Sequence, residues 1–157
     1  MTSVLTPGAD IVVRRATARD ARRLTRIVRH SRAYKAPYES MVAGYRVGPD
    51  YIEAHEVHVA VATGDDTVLG FYALLLDPPE LDLLFVADTA QGLGIGRRLI
   101  THLKGRARAA GIDAVRVVSH PPSEGFYRSV GAHRTGTVRA NPPAVRWDRP
   151  ELTLPVH

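Results

Sequence analysis

The sequence predicts an α+β (mixed α/β) fold, built as one domain over residues 1–157. Three observations carry that expectation. Segments that alternate apolar and polar residues, the period of a half-buried strand, cluster in the middle of the chain and recur toward its end. Two other stretches repeat apolar residues every three or four positions, as a helix with one buried face does. A chain of 157 residues, 45% hydrophobic and 24% charged, also has ordinary globular composition and the length to bury a core without cross-links.

Residues 1–9 read as a loose start. Residues 11–16 make a β-branched strand that ends in arginines. Thr17 or Asp20 caps the next helix, where Ala21, Leu24, Ile27 and Val28 form one apolar stripe. Residues 31–50 mix Tyr34, Tyr38 and Tyr45 with Pro37, Pro49, Gly44 and Gly48, which predicts short helical pieces joined by loops, with Pro49 opening another turn. Three tyrosines in irregular chain either line a pocket or simply pack. In 55–63, Val57, Val59 and Val61 alternate with His58, Ala60 and Ala62. Gly64-Asp65-Asp66 is a tight turn and 68–76 the return strand, an antiparallel hairpin. Asp77-Pro78-Pro79 breaks it, and 81–87 is a third consecutive strand.

Residues 96–110 form a helix whose Leu99, Ile100, Leu103 and Ala107 share a face, closed by Gly111. A valine-rich strand follows at 114–119. A short helix over 121–130 carries Phe126, Tyr127 and Val130, and strand-like runs at 132–139 and 145–154 finish the chain. The sequence shows no repeat, low-complexity segment or internal boundary.

Several function classes fall away. With no cysteine there is no disulfide, no thiolate catalysis and no cysteine-based zinc site. His55 and His58, three apart on a strand, point to opposite faces, so no metal is expected. The longest apolar run, 69–76, is too short to span a bilayer, which needs about 20 residues in a helix, and the N-terminus lacks a signal-peptide pattern. A soluble, cytoplasmic protein is expected, with no membrane partner.

Charge alone points elsewhere. The net charge is +5; two of the 21 basic residues are lysines (Lys35 and Lys104), and eight of the arginines lie between Arg14 and Arg32. A basic nucleic-acid-binding protein is the reading this suggests. No aromatic residues for base stacking are interleaved with those arginines, so a solvated helix face is expected and nucleic acid is not the expected partner.

The informative segment runs from Leu81 to Gly96: an apolar strand, then Gln91-Gly92-Leu93-Gly94-Ile95-Gly96 opening a helix. Glycines let backbone approach a ligand closely, and the unpaired N–H groups of a helix N-terminus favour phosphate. Arg97 and Arg98 follow Gly96 where a P-loop requires Lys-Ser/Thr. The glycine spacing also differs from the dinucleotide fingerprint, which opens a parallel βαβ unit, whereas this loop follows an antiparallel meander. A phosphate or pyrophosphate site of another kind is predicted.

Gln91-x-x-Gly94-x-Gly96 between strand and helix resembles the coenzyme-A loop of the GNAT N-acetyltransferase superfamily. Gly125-Phe126-Tyr127-Arg128-Ser129-Val130-Gly131-Ala132 is similar to the superfamily's later motif. Val86 stands five residues before Gln91, and the element order matches. The resemblance covers about residues 11–139, with 140–157 as a C-terminal strand segment. It implies a central, mostly antiparallel twisted sheet, splayed around an acetyl-CoA site and flanked by helices.

It implies further that the backbone of Leu84, Phe85 and Val86 meets the pantetheine arm in the gap left by strand 114–119. Gln91, Gly92, Leu93, Gly94, Ile95, Gly96 and Arg97 would hold the pyrophosphate, with Arg98 adding charge. Tyr127 matches the usual general acid, which protonates the leaving thiolate and touches the coenzyme. His120 stands seven residues before it, where family members often carry Asn, and would donate to the arm or join the proton chemistry. Asp82, four residues before Val86 in an otherwise apolar run, is the candidate base; His58 and Glu53 are runners-up, and a water chain is the alternative. Tyr34, Tyr38 and Tyr45 are the candidate acceptor pocket.

The implied activity is acetyl-CoA-dependent transfer to a primary amine of a small molecule or peptide, by direct attack in a ternary complex. A non-catalytic coenzyme-A-binding module is the alternative. The tail strand 145–154 is expected to pair across a homodimer.

Overall fold

A computed structural model describes residues 10–32, 34 and 38–157. The expected loose start at 1–9, together with Lys35 and Pro37, lies outside the described residues.

β1 (Ile11–Arg15) pairs antiparallel with β2 (Glu56–Ala62). Between them α1 (Ala21–Arg29) buries Leu24 and Val28, the expected stripe, and α2 (Pro49–Ala54) opens on Pro49 and buries Ile52. Proline suits a first helical turn because its missing N–H would have had no partner there. α2 ends before His55, so the strand predicted to start at His55 starts one residue later.

β3 (Val68–Leu76) and β4 (Pro79–Val86) complete an antiparallel meander. Pro79, expected to break the chain, is the first residue of β4. The first position of a strand is one of the few a proline tolerates. α3 (Ile95–Ala109) then crosses to β5 (Ala114–Val118), which lies parallel to β4. α4 (Glu124–Ser129), β6 (His133–Val138) and β7 (Arg149–Pro155) follow. The described strands form one sheet in the order β1-β2-β3-β4-β5-β7-β6, and β4–β5 is its one parallel pair.

The tail departs from expectation. The last strand begins at Arg149, not 145, because residues 141–145 close a turn through paired Asn141 and Val145 backbones. β7 is inserted between β5 and β6, with both edges hydrogen-bonded. It therefore has no free edge to offer a second chain, and the expected pairing of this strand across a dimer is corrected.

The sheet carries a core on each face. Leu99, Leu103 and Ala107 of α3 pack with Ala60, Val115, Val117, Leu152 and Leu154 on one side; Leu24, Val28 and Ile52 pack with Val57, Val59 and Phe71 on the other. β2 alternates between them, and β3, buried on both faces, reads as a continuous apolar run for that reason.

The arginines around α1 form largely the solvated face expected, with Arg19, Arg22, Arg26, Arg29 and Arg32 exposed, while Arg14 and Arg23 are half-buried around an acid. Asp20, 1% exposed, accepts from Arg14 at 2.9 and 3.0 Å, from Arg23, and from the Thr17 N–H at 2.9 Å. Burial opposes its charge, but these donors outweigh burial and hold its pKa at about 2. Arg15 pairs with Glu56 at 3.0 Å, and Arg29 donates to the Tyr45 carbonyl at 2.7 Å.

Candidate active site

The site begins with a failure of pairing. β4 and β5 are matched at only two positions, Glu80 with Arg116 and Leu81 with Val117. Beyond Leu81 the strands part. The end of β5 follows β7, since the Ser119 N–H donates to the Pro150 carbonyl at 3.0 Å, and Pro121 and Pro122 then turn the chain into a 3-10 turn and α4. The gap opens into a cleft of about 630 Å3. Residues 82–86 form one wall and Val118, Ser119 and His120 the other. The glycine loop closes one end, and Tyr34, Met41, Tyr45 and Tyr127 also line it.

Asp82 is placed by a β-bulge. Ala73 pairs with Leu83 and Leu74 with Leu81, leaving Asp82 as the extra residue. A bulge re-aims a side chain, which explains how an acid sits in this apolar run. The Tyr51 hydroxyl of α2 donates a short hydrogen bond to the Asp82 carboxylate. Burial, and then this bond, pushes the Tyr51 pKa far up; burial and the Asp82 charge raise that of Tyr45.

The loop turns through Gly92 and Gly94, at φ +82° and +74°. Such values are open to glycine and strained for other residues. Gly94 is the N-cap of α3. The N–H groups of Gly92, Leu93, Gly94, Ile95, Gly96 and Arg97 donate to no backbone carbonyl among the described residues, so a row of donors and a helix N-terminus face one spot. Gln91 reaches back to the Val86 carbonyl at 3.2 Å. The Arg97 guanidinium is within 3.4 Å of the Ser129 carbonyl at the end of α4, which ties the loop helix to the helix bearing Tyr127. At Gly96 an added Cβ would lie 3.0 Å from two atoms of the Phe126 ring, so a larger residue there would make that ring shift where α3 meets α4.

Tyr127 is buried and lines the cleft. Burial, then the nearby Tyr34, raises its pKa, so its phenol stays protonated at neutral pH. His120 is buried too, and its ring stacks on Tyr34 with centroids 3.9 Å apart. Tyr34 in turn stacks on Phe85 at 5.4 Å, and its pKa is pushed up to about 12 by burial.

Of the sequence-predicted residues, Asp82, Leu84, Phe85, Val86, Gln91, Gly92, Gly94, Ile95, Gly96, Arg97, His120, Tyr127, Tyr34 and Tyr45 all line this one cleft. Tyr38 packs edge-on to His120 and Trp147, behind the wall. The Leu93 side chain is exposed and does not line the cleft. The two runners-up for a base are corrected. His58 lies on the opposite face beneath α3, 3.0 Å from Glu56, and Glu53 is an exposed residue of α2; neither reaches the cleft.

Sequence reasoning missed Tyr51 and Arg149. The tyrosine was legible only as part of a helix, and nothing local says that residue 149 abuts residue 120. Among the described residues no group of three His, Asp or Glu side chains is placed to hold a metal, and no helix is long and apolar enough to cross a membrane.

Known proteins share these features. The acetyltransferase (GNAT) domain family matches residues 17–141. The peptidyl-lysine N-acetyltransferase YjaB of Salmonella typhimurium is 31% identical over 106 residues, 68% of this chain and 66% of that one, just under two thirds of its length. Among solved structures, a GCN5-related N-acetyltransferase from Rhodopseudomonas palustris superposes with a TM-score of 0.79 at 19% identity, covering 99% of both chains. The structure of yncA from Salmonella typhimurium with its cofactor acetyl-CoA gives 0.72 at 21% identity, covering 95% of both. These structural likenesses bear on the fold, while the family match takes in most of the chain. A mostly antiparallel sheet parted at its one parallel pair, a glycine loop at the mouth of the gap and a match over 17–141 lead to one conclusion: the chain belongs to the GNAT acetyltransferase family.

Proposed function

We propose that this protein transfers the acetyl group of acetyl-CoA to a primary amine by direct attack, without an acyl-enzyme. The observation that carries this reading is the open edge of β4. An extended arm bearing amides adds to a free strand edge as another strand would, and the donor row from Gly92 to Arg97 stands where such an arm's phosphates would end. The residues therefore fit the coenzyme: open N–H groups for the pyrophosphate, and the edge of β4 over Leu84–Val86, past its last pairing with β5, for the arm.

Acetyl-CoA, when bound, supplies the thioester. The chain's own residues do the rest. The strand edge at Leu84–Val86 orients the carbonyl and offers it backbone donors, as an oxyanion site does. The acceptor nitrogen forms a bond to the carbonyl carbon and the carbon–sulfur bond breaks. Tyr127, kept neutral by burial, gives its phenolic proton to the departing sulfur. The amine proton leaves to Asp82, directly or through water, and Tyr51 fixes the orientation of that carboxylate. Tyr34 and Tyr45 shape the acceptor side.

The test is thiol release from acetyl-CoA against a panel of amines, with wild type and Tyr127→Phe. Loss of one positioned proton donor lowers kcat by roughly 100-fold or more, with coenzyme affinity unchanged. Equal turnover in Tyr127→Phe removes the acid role. Coenzyme binding without thiol release on any amine points to a binding module instead.

A further inference from the structure

We propose that Arg149 recognises a carboxylate carried by the acceptor, so that the acceptor class is amines bearing an acid group. The inference rests on the acetyl-transfer reading and extends it to the acceptor. Arg149 is the first residue of β7 and lines the cleft beside Val118, Ser119 and His120. Along β7, Pro150, Leu152 and Leu154 are buried, the two leucines in the core shared with α3. Alternation sends Arg149, Glu151 and Thr153 to the other face, the face on which Tyr51 meets Asp82 and Tyr34 meets His120.

The Arg149 Nε is buried and has no hydrogen-bond partner among the described residues. The acids that could have taken it are engaged elsewhere. Glu80 and Glu151 both bind Arg116, while Asp148 accepts from the Ala140 N–H at 2.7 Å and lies 3.6 Å from Arg139. A buried guanidinium nitrogen without an acceptor is costly, and a guanidinium is the group best suited to a planar carboxylate. The Arg149 side chain lines the cleft, so its guanidinium is the group that meets a carboxylate entering there.

The opposite wall supplies the complement. Asp82 on β4 faces the same cleft and suits an ammonium group before it loses its proton. β5 stands between β4 and β7 and has parted from β4 beyond Leu81, so Asp82 and Arg149 are farther apart than two strand spacings, more than about 10 Å between backbones. Their side chains reach into that span, leaving room for a small zwitterion whose body rests on Tyr34 and His120.

Binding is measured by calorimetry on the coenzyme-A-loaded protein with phenylalanine, leucine and methionine, each beside its carboxamide. Thiol release is followed with the same pairs. The expected result is that acids bind roughly 10- to 100-fold tighter than their amides, the range of one charge-assisted contact. Arg149→Met abolishes that preference while coenzyme affinity stays unchanged, and Arg149→Lys keeps part of it. The proposal is overturned if no acid binds wild type better than its amide, a comparison that needs no variant, or if the preference survives in Arg149→Met. Acid-selective binding without thiol release overturns acetyl transfer and leaves the role of Arg149 standing. Thiol release alike with acids and amides does the reverse.

Discussion

Gly94 and Gly111 allow backbone strain to be separated from loss of the proposed coenzyme site. They bracket α3 and share a conformation, φ +74° and +75°, and at neither would a Cβ meet any atom within 4 Å. Alanine at either position is forced left-handed, which costs about 1–2 kcal/mol. The lower entropy of the unfolded alanine chain returns about 0.4–1 kcal/mol. Each variant should therefore lose about 1 kcal/mol, and at this size Tm should fall by about 2–4 °C in both. Only Gly94 sits among the unpaired N–H groups at the start of α3. A methyl there crowds the anion and bends the donors away, and charge-assisted bonds are worth about 1.5–3 kcal/mol each. Coenzyme-A affinity measured by calorimetry should fall roughly 10- to 100-fold in Gly94→Ala and stay within about twofold of wild type in Gly111→Ala. Equal coenzyme affinity in the two variants would refute the phosphate nest. A much larger loss of Tm in Gly94→Ala than in Gly111→Ala would refute the claim that the two glycines carry the same strain.

Asp20→Asn should lower stability near neutral pH by about 1–2 kcal/mol, less than the full pKa shift implies, because the arginines that hold Asp20 lie partly in solvent. Its pKa in the fold is about 2, below the ordinary carboxylate value, so its contribution is present above about pH 4 and disappears as pH falls toward 2. Urea unfolding of wild type and variant should therefore converge in acid, and a difference that stays constant with pH would contradict the linkage. Tyr51→Phe and Asp82→Asn should each reduce kcat/KM without changing coenzyme affinity. If the tyrosine acts only through the carboxylate, the double variant should be no slower than Asp82→Asn alone; steady-state kinetics showing additive losses would separate the two.

Most elements were legible because their signals are local. Period-two alternation marks β2, helical spacing marks α1 and α3, and glycines after a strand mark the loop. What was not legible depends on distant contacts. The break between β4 and β5 was expected from the family resemblance, but its cause was not: the end of β5 is drawn to Pro150, a residue more than thirty positions away. The same contact brings Arg149 to His120. Asp82 was noticed as an acid in an apolar run, but the bulge that turns it toward Tyr51 is a property of two paired strands. The solvated arginine face was legible but its ion pairs were not, since Arg14 and Arg15 find partners at Asp66 and Glu56, more than forty positions on.

The parted strands also need something to hold them apart, because two neighbouring strands with free edges gain hydrogen bonds by closing. Three features work against closure. The bulge at Asp82 twists β4 where pairing stops. The Pro121-Pro122 turn removes two donors just past the end of β5 and directs the chain into α4. Tyr34, set between Phe85 of β4 and His120 beyond β5, fills the gap on one face with stacked rings. On the other face Phe126, seated against Gly96, fixes α4 to the start of α3 and so sets where Tyr127 stands. The gap, the proposed phosphate nest and the candidate acid are thus held by one connected set of contacts. The open edge that defines the site is bought by packing on both faces of the sheet, and substitutions at Tyr34 or Phe126 should disturb coenzyme and acceptor binding together rather than either alone.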